Sequence, residues 1–264
     1  MAISELWLPI GTTLFLWWFA TGAILYLDGV PTRTFVWTMR GATLLLGLAL
    51  WGLVHTRGDL GAAGAYCAFC CALLVWSWQE VAFLLGVVTG PRRTACPPDA
   101  RGWPRVGFAL QAVAYHELAL VLLALAVWAC VGDGVNQVGW WTYLALWAMR
   151  QSAKLNVLLG VRNLGESLLP AHLSYLTSYF KRAPLNWLWP LSMVMNSAAA
   201  AWVWSLALAA STAGVALASG YALVGTLLVL GVLEHLMLVL PLPFEALWRW
   251  GLRSRRGQGV QNTA

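Results

Sequence analysis

Seven long apolar runs occupy most of this chain and limit the folds that it can adopt. The runs cover residues 6–27, 35–55, 61–89, 106–131, 137–161, 187–212 and 219–241. A helix needs about 20 apolar residues to cross the hydrocarbon core of a bilayer, and only a helix satisfies its backbone hydrogen bonds within one such run. The sequence therefore predicts an all-α fold, a polytopic membrane helical bundle of about seven transmembrane helices.

Composition agrees with a membrane protein and excludes a soluble one. Of the 264 residues, 60% are hydrophobic and 10% are charged, whereas soluble domains carry about 25% charged residues. The net charge of +6 does not indicate nucleic-acid binding, because the basic residues fall mainly between apolar runs. We expect one transmembrane domain over residues 1–250 and a basic, disordered cytoplasmic tail over residues 251–264.

The positions of Lys and Arg predict which side of the membrane each segment faces. If the N-terminus is periplasmic, the outer segments contain only Arg57. The inner segments then contain Arg33, Arg92, Arg93, Arg101, Arg105, Arg162, Lys181, Arg182, Arg249, Arg253, Arg255 and Arg256. The positive-inside rule therefore predicts a cytoplasmic C-terminus. Segment 163–186 mixes apolar and polar residues and predicts an interfacial helix on the cytoplasmic face.

Ionisable residues also occur inside the runs, where they are costly unless they are paired. Those that share a depth of roughly 9 to 16 Å from the cytoplasmic helix ends are Glu80, His116, Glu117, Lys154, Glu234 and His235. Arg150 and Lys154 are four residues apart and face the same way on the fifth helix. We expect the three carboxylates to neutralise these two cations in a buried network, with Asn156, Asn163 and Asn196 completing its hydrogen bonds.

Four interpretations of this network remain open from the residues alone. It fixes helix register, it lines a proton or ion pathway, it holds a metal, or an imidazole of His116 or His235 ligates the magnesium of a chlorin or the iron of a haem. The expected cofactor-binding residues are His116, His235, Glu80, Glu117, Glu234, Arg150, Lys154 and Asn156. The expected metal ligands, of the types that di-iron bundles use, are Glu80, His116, Glu117, Glu166, His172, Glu234 and His235.

Several stretches resemble the photosynthetic complex assembly protein family of purple bacteria that is called PuhE. They are "LWWFATGAILYLDGVPTRTF", "SWQEVAFLLGVVTGPRR", "AYHELAL", "SAKLNVLLGVRNLGESLLPAHLSYLTSYF", "PLNWLWPLSMVMN" and "LEHLMLVLPLPFEALWRW". The resemblance covers essentially the whole chain in order. One departure is "NLGESLLP", which has a single acidic residue, Glu166, where the family pattern suggests two, and this weakens a metal site in that segment.

The resemblance implies a multi-pass protein of the bacterial inner, intracytoplasmic membrane. It implies a role in assembling reaction-centre and light-harvesting complexes or in supplying bacteriochlorophyll, with membrane lipids and with photosynthetic subunits or pigment-biosynthesis proteins as partners. Bacteriochlorophyll or a precursor is the cofactor that this role suggests. The alternative is an intramembrane oxidoreductase that uses iron to modify a pigment or lipid-like substrate. Neither the family nor the residues identify a catalytic group, so enzymatic activity stays undecided.

Overall fold

The fold of this chain, seen in a computed structural model, is described for residues 6–212 and 217–255. Seven long α-helices follow one another: α1 (Trp7–Leu27), α2 (Phe35–Thr56), α3 (Ala62–Leu84), α4 (Gly102–Val131), α5 (Val138–Leu159), α6 (Leu188–Thr212) and α7 (Ala218–Met237). No β-strand occurs in these two described ranges, which contain only one isolated bridge between Val161 and Arg182. The prediction of an all-α helical bundle is confirmed.

Six of the long helices are long and apolar enough to cross a membrane, and α5 is the exception. Its polar residues Arg150, Gln151 and Lys154 interrupt an otherwise apolar run. One face of α5 packs into the bundle, where Tyr143 is fully buried and its hydroxyl donates to the Leu120 carbonyl of α4 at 2.8 Å. Neighbouring helices thus cover one face of the least apolar helix.

The two ends of the bundle differ in the segments that join the helices. At one end, which we call the narrow end, the short turns 57–61 and 132–137 contact each other. The Asn136 amide there donates to the Arg57 carbonyl at 3.0 Å. The opposite end, which we call the basic end, contains the longer segments 28–34, 85–101, 160–187 and 238–255.

Small residues allow close helix packing in the half of the bundle next to the narrow end. A β-carbon at Gly139 of α5 would lie 2.4 Å from a methyl group of Leu53 in α2. A β-carbon at Gly220 of α7 would lie 2.6 Å from a methyl group of Val138. The core here is apolar and tightly packed, so it leaves little room for ligands or polar groups.

Two helices at the basic end stop before the apolar runs do. Helix α3 ends at Leu84 rather than at residue 89, because the chain turns at Gly86, whose φ of +74° favours glycine. Helix α7 ends at Met237 rather than at residue 241. Hydropathy marks where a segment is apolar, and these segments stay apolar after the helix has ended.

The segment predicted as an interfacial helix, residues 163–186, forms two 3-10 helices instead of an α-helix, Glu166–Leu168 and Ala171–Tyr179. The longer one buries Leu173, Leu176 and Tyr179 against the end of α3 and against α4. It therefore belongs to the packed structure of the basic end.

The first residues of the predicted tail also pack against the bundle. Gly251 is buried, and a β-carbon there would lie 2.3 Å from the Gly22 carbonyl oxygen of α1. Residues 256–264, the remainder of the predicted tail, lie outside the described residues.

Candidate functional site

Ion pairs join α5 to α3 and to α4 at the level where the sequence places its intramembrane charges. Arg150 Nη2 lies 3.2 Å from Glu80 Oε2 of α3. The Lys154 ammonium and the Gln151 amide both donate to the carboxylate of Glu117 in α4. Positions 150, 151 and 154 share one helix face, so α5 can reach both neighbours at once. We call these five residues the ion-pair network.

The ion-pair network extends from the interior of the bundle to its surface. The Glu80 side chain is 12% exposed, whereas that of its partner Arg150 is 41% exposed. Lys154 and Glu117 lie between these values, at 26% and 28%. Since two cations face two carboxylates, the network is neutral as a whole, which lowers the cost of placing charges at this depth.

A buried imidazole lies beside the ion-pair network. His116 of α4 is 1% exposed, and its ring centroid lies 4.5 Å from that of Phe83 in α3. Its backbone amide donates to the Thr89 carbonyl, in the irregular segment that follows α3. Arg150 and Lys154 both lie within electrostatic range of its ring. His116 therefore connects the charged layer to the irregular backbone of the basic end.

Several buried polar atoms in this layer have no hydrogen-bond partner within the described chain: Gln79 Oε1, His116 Nδ1, Trp147 Nε1 and Arg150 Nε. Gln79 precedes Glu80 and lies one turn before Phe83 on α3, while Trp147 lies one turn before Arg150 on α5. Buried polar groups normally have partners. The residues around the ion-pair network can therefore form further hydrogen bonds, with Trp147 and Arg150 of α5 as donors and Gln79 of α3 as an acceptor.

His235, the other imidazole expected to bind a cofactor, has both ring nitrogens engaged. Nδ1 lies 2.8 Å from the Gly231 carbonyl oxygen, and Nε2 lies 2.8 Å from Ser152 Oγ of α5. A backbone carbonyl can only accept, so Nδ1 carries the proton and Nε2 accepts from the Ser152 hydroxyl. His235 joins α7 to α5 and contributes to helix packing.

Asn156 forms a similar junction between α5 and α6. It is fully buried, and its amide donates to Ser192 Oγ at 3.0 Å and to the Ser152 carbonyl at 2.9 Å. Asn186 donates to the Asn156 side-chain oxygen at 3.1 Å. Asn156 thus bonds to Ser152, Ser192 and Asn186 and makes no hydrogen bond to the ion-pair network.

Glu234 lies on the outer surface of α7 rather than inside the ion-pair network. Its carboxylate accepts a hydrogen bond from Trp17 Nε1 of α1 at 2.7 Å. Arg150 and Glu80 lie within electrostatic range of it. The structure therefore gives this third carboxylate an indole partner, where the sequence predicts a cation.

The remaining expected metal ligands lie at the basic end, apart from the ion-pair network. Glu166 pairs with Arg182 at 3.0 Å, and both side chains are well exposed. His172 Nε2 lies 2.9 Å from the Leu84 carbonyl oxygen. In the described part of the chain, no three His, Cys, Asp or Glu side chains form a group that could hold a metal ion. The seven expected metal ligands therefore do not converge on one site in the described chain.

Neither buried imidazole is open to a chlorin or a haem in this structure. His235 uses both nitrogens in hydrogen bonds. His116 has the free ring nitrogen that axial ligation requires, but it is enclosed by Phe83 and only 1% exposed. Neither residue therefore presents an accessible free ring nitrogen, and no step through a metal-bound pigment follows from this geometry.

A further ion pair at the basic end lies outside the expected site. The Arg255 guanidinium binds both oxygens of Asp28, at 2.8 and 2.7 Å, and also donates to three backbone carbonyls, those of residues 167, 168 and 169. Burial raises the pKa of the Asp28 carboxyl, while the Arg255 guanidinium acts against this rise. Sequence reasoning missed this pair because Arg255 falls in the predicted tail.

Sequence reasoning also missed the amide and hydroxyl partners Gln79, Gln151, Ser152, Asn186 and Ser192. Gln151 and Ser152 lie between Arg150 and Lys154 in sequence, and this clustering of polar residues in one run is a usable signal. Gln79 stands beside Glu80 in the same way. Asn186 and Ser192 do not stand beside a charged residue in the sequence, so they could not be recognised as partners in this way.

Comparison with known proteins identifies relatives but no reaction. A family model described as "Protein of unknown function (DUF3623)" matches residues 3–258. An "Uncharacterized 30.4 kDa protein in puhA 5'region" of Rhodobacter capsulatus is 40% identical over 260 residues, which cover 94% of this chain and 91% of that protein. No solved structure matches.

Proposed function

We propose that this chain, which belongs to the DUF3623 family, is an inner-membrane factor that supports the assembly of photosynthetic reaction-centre and light-harvesting complexes or the supply of bacteriochlorophyll. The observation that carries this proposal is the gene region of the relative, the 5′ region of puhA in a photosynthesis gene cluster. The resemblance to the PuhE family points to the same process.

In this proposal the ion-pair network is the working site. Ionisable groups inside a membrane are costly and commonly serve function. Arg150 is the most exposed of the four charged residues in the network, and it keeps a buried N–H without a partner in the described chain. A guanidinium in this position suits a carbonyl or carboxylate group of a pigment, or a polar side chain of a partner's helix.

The proposed mode of action is recognition, and it requires no covalent step. The Glu80 carboxylate orients the Arg150 side chain from one side, and Gln79 donates to the other oxygen of Glu80 at 3.1 Å. A neutral, hydrogen-bonded network can exchange one polar partner for another without leaving a charge unpaired. The alternative iron-dependent oxidoreductase has no comparable support, because the expected ligands do not converge on one site among the described residues.

The proposed orientation places the basic end in the cytoplasm and the N-terminus in the periplasm. Its support is the charge distribution: the described basic-end segments carry most of the loop Arg and Lys residues, and the described narrow-end turns carry only Arg57. The working site then lies in the cytoplasmic half of the membrane, on the side where newly made pigment and protein arrive in this proposal.

A pair of matched double variants tests the proposal in a phototrophic bacterium that lacks its own copy of the gene. Glu80→Gln with Arg150→Gln removes one ion pair of the network, and removing both charges together preserves the fold better than removing one. The control, Glu166→Gln with Arg182→Gln, removes an exposed pair. Near-infrared absorbance of the complexes and immunoblot levels of this chain are measured together.

We expect the first double variant to lower reaction-centre and light-harvesting absorbance severalfold while the chain stays at its normal level. We expect the control to leave both quantities unchanged. Normal absorbance in the first variant would contradict a working site in the network. A loss of absorbance that only follows a loss of the chain would show that the network serves the fold alone.

A further inference from the structure

The segment between α3 and α4 forms two adjoining open cavities at the basic end. One, of about 340 Å³, is lined by Pro91, Arg92, Arg93, Thr94 and Gln111. The other, of about 420 Å³, is lined by Pro97, Asp99, Ala100, Arg101, Pro104 and Phe108. From these cavities and their charges we infer that residues 90–105, which include the end of this segment and the first turn of α4, bind the headgroup of an anionic phospholipid. This inference is independent of the proposed function.

Arg92 is held in a fixed position in the wall of the first cavity. Its Nε donates to the Tyr179 hydroxyl at 2.8 Å, and its Nη2 donates to the Ala95 carbonyl at 3.1 Å. Its guanidinium carbon lies 4.5 Å from the ring centroid of Phe108, which lines the second cavity. These contacts leave Nη1 as a preorganised donor, and preorganisation lowers the cost of binding.

Hydrogen bonds to other parts of the chain also fix the rest of residues 90–105. The Cys96 amide donates to Ser178 Oγ at 2.8 Å, and the Tyr179 hydroxyl donates to the Thr94 carbonyl at 2.9 Å. Arg105 donates to the Leu158 carbonyl at 3.2 Å and to the Tyr179 carbonyl. The 3-10 helix Ala171–Tyr179 thus supports the walls of the cavities.

Arg93 supplies a charge that none of the described residues neutralises. It is exposed, lines the first cavity beside Arg92, and forms no hydrogen bond or ion pair with the described residues. Segment 90–105 contains four arginines against the single carboxylate Asp99. Two guanidinium groups at one cavity suit a phosphate, which accepts several N–H donors at once.

Exposed apolar residues close in sequence to those that line the two cavities favour a lipid over a soluble phosphate. Trp103 at the start of α4 is 86% exposed, as expected of an indole at the membrane interface. Leu110, beside Gln111 in sequence, is 57% exposed, and Val87 is 52% exposed. Apolar surface next to a basic cavity provides contacts for acyl chains below the headgroup. Basic pockets between transmembrane helices are known to bind anionic headgroups.

The test uses the full-length protein in a mild detergent, titrated with phosphatidylglycerol or with phosphatidylcholine of the same chain length. Bound lipid is counted by native mass spectrometry. We expect phosphatidylglycerol to bind at least about fivefold more tightly, since one basic residue near the surface contributes about that factor. Equal affinity for the two lipids would overturn the inference.

Arg93→Gln is expected to weaken phosphatidylglycerol binding about fivefold and to leave phosphatidylcholine binding unchanged. Arg93→Lys retains the charge and is expected to retain most of the affinity. Arg57→Gln is the matched control, because Arg57 is also exposed but lies at the narrow end. Equal losses in Arg93→Gln and Arg57→Gln would show non-specific charge attraction and would overturn a site at segment 90–105.

Inorganic phosphate and glycerol phosphate at millimolar concentration distinguish the two sources of a phosphate group. We expect neither to displace bound phosphatidylglycerol, because neither has acyl chains to contact Leu110 and Val87. Displacement by either soluble anion would identify a soluble-anion site and contradict the lipid assignment.

Discussion

The narrow end and the basic end of this bundle satisfy their backbone hydrogen bonds in different ways. At the narrow end the turns are short. Gln137 donates to the carbonyls of Gly132 and Gly134 within its own turn, and Asn136 links this turn to the facing one by donating to the Thr56 carbonyl at 3.1 Å. At the basic end α3 and α7 stop before their apolar runs do. Side chains that are distant in sequence donate to backbone carbonyls at the helix ends and in the irregular segments. Asn163 donates to the Met237 carbonyl at 2.7 Å, and Arg255 donates to three carbonyls of residues 167–169.

This difference shows where a membrane protein can accommodate irregular backbone. Backbone polar groups need partners where water is scarce, and at the basic end Asn, Arg and His side chains supply them. The same end contains the ion-pair network and the cavities of segment 90–105. Polar chemistry is therefore concentrated in one half of the bundle, and the other half provides tight apolar packing.

Removing the cation of the Glu117 pair is expected to have the largest effect on stability. Lys154→Met leaves a carboxylate without its counter-charge and should lower the free energy of unfolding by roughly 3 kcal/mol. Chemical or thermal unfolding in bicelles measures the change. Arg182→Gln is the control, because it breaks an exposed pair and should cost less than about 1 kcal/mol. Equal costs for the two variants would contradict a special role for the ion-pair network.

Breaking the Asp28 pair is expected to loosen the basic end. Arg255→Gln removes a bidentate ion pair and several hydrogen bonds to carbonyls, which we expect to cost about 2 kcal/mol. Hydrogen exchange should then increase at residues 167–169 and stay unchanged in the turns of the narrow end. Unchanged exchange at residues 167–169 would show that Arg255 does not hold this segment.

The same pair predicts how stability depends on pH. Burial raises the folded-state pKa of Asp28 above its ordinary value of 3.8, so the folded state binds the proton more tightly than the unfolded state. The contribution of Asp28 to stability therefore increases as pH falls from the folded pKa toward 3.8 and is least favourable above the folded pKa. Asp28→Asn should remove this dependence, and Arg255→Gln should extend it to higher pH. Unfolding measured across pH checks both expectations.

A smaller effect is expected from filling space near the narrow end. Gly139→Ala places a methyl group 2.4 Å from Leu53 and should destabilise the protein by about 1 to 2 kcal/mol. Gly47→Ala in α2 is the control, since no atom lies within 4 Å of its β-carbon position, and alanine favours a helix more than glycine does. Unfolding free energies in the same bicelles compare the two. A loss in Gly47→Ala as large as that in Gly139→Ala would contradict tight packing at Gly139.

Most of the helical architecture could be predicted from the sequence because apolar length marks six of the seven long helices in the described chain. Helix α1 at Trp7–Leu27 differs by one residue from the predicted run 6–27. The ends of α3 and α7 could not be predicted in this way, because Val87, Val88 and Leu240 remain apolar after the helix has ended. Hydropathy reports burial in lipid or protein and does not distinguish helix from packed irregular chain.

The charges of the site could be predicted more readily than its neutral partners. Arg150 and Lys154 require counter-charges at their depth, and few carboxylates are available there. The choice of Trp17 as the partner of Glu234, and of Ser152 as that of His235, depends on helix rotation. Helix rotation is set by tertiary packing, for which a single sequence carries no direct signal.

The coupling free energy between Glu117 and Lys154 tests most directly whether charges on different helices pair inside this bundle. Unfolding of the wild type, Glu117→Gln, Lys154→Met and the double variant gives this energy. Pairing predicts a coupling of at least about 1 kcal/mol, with the double variant more stable than the sum of the single losses implies. Additive losses, within about 0.5 kcal/mol, would contradict the pairing.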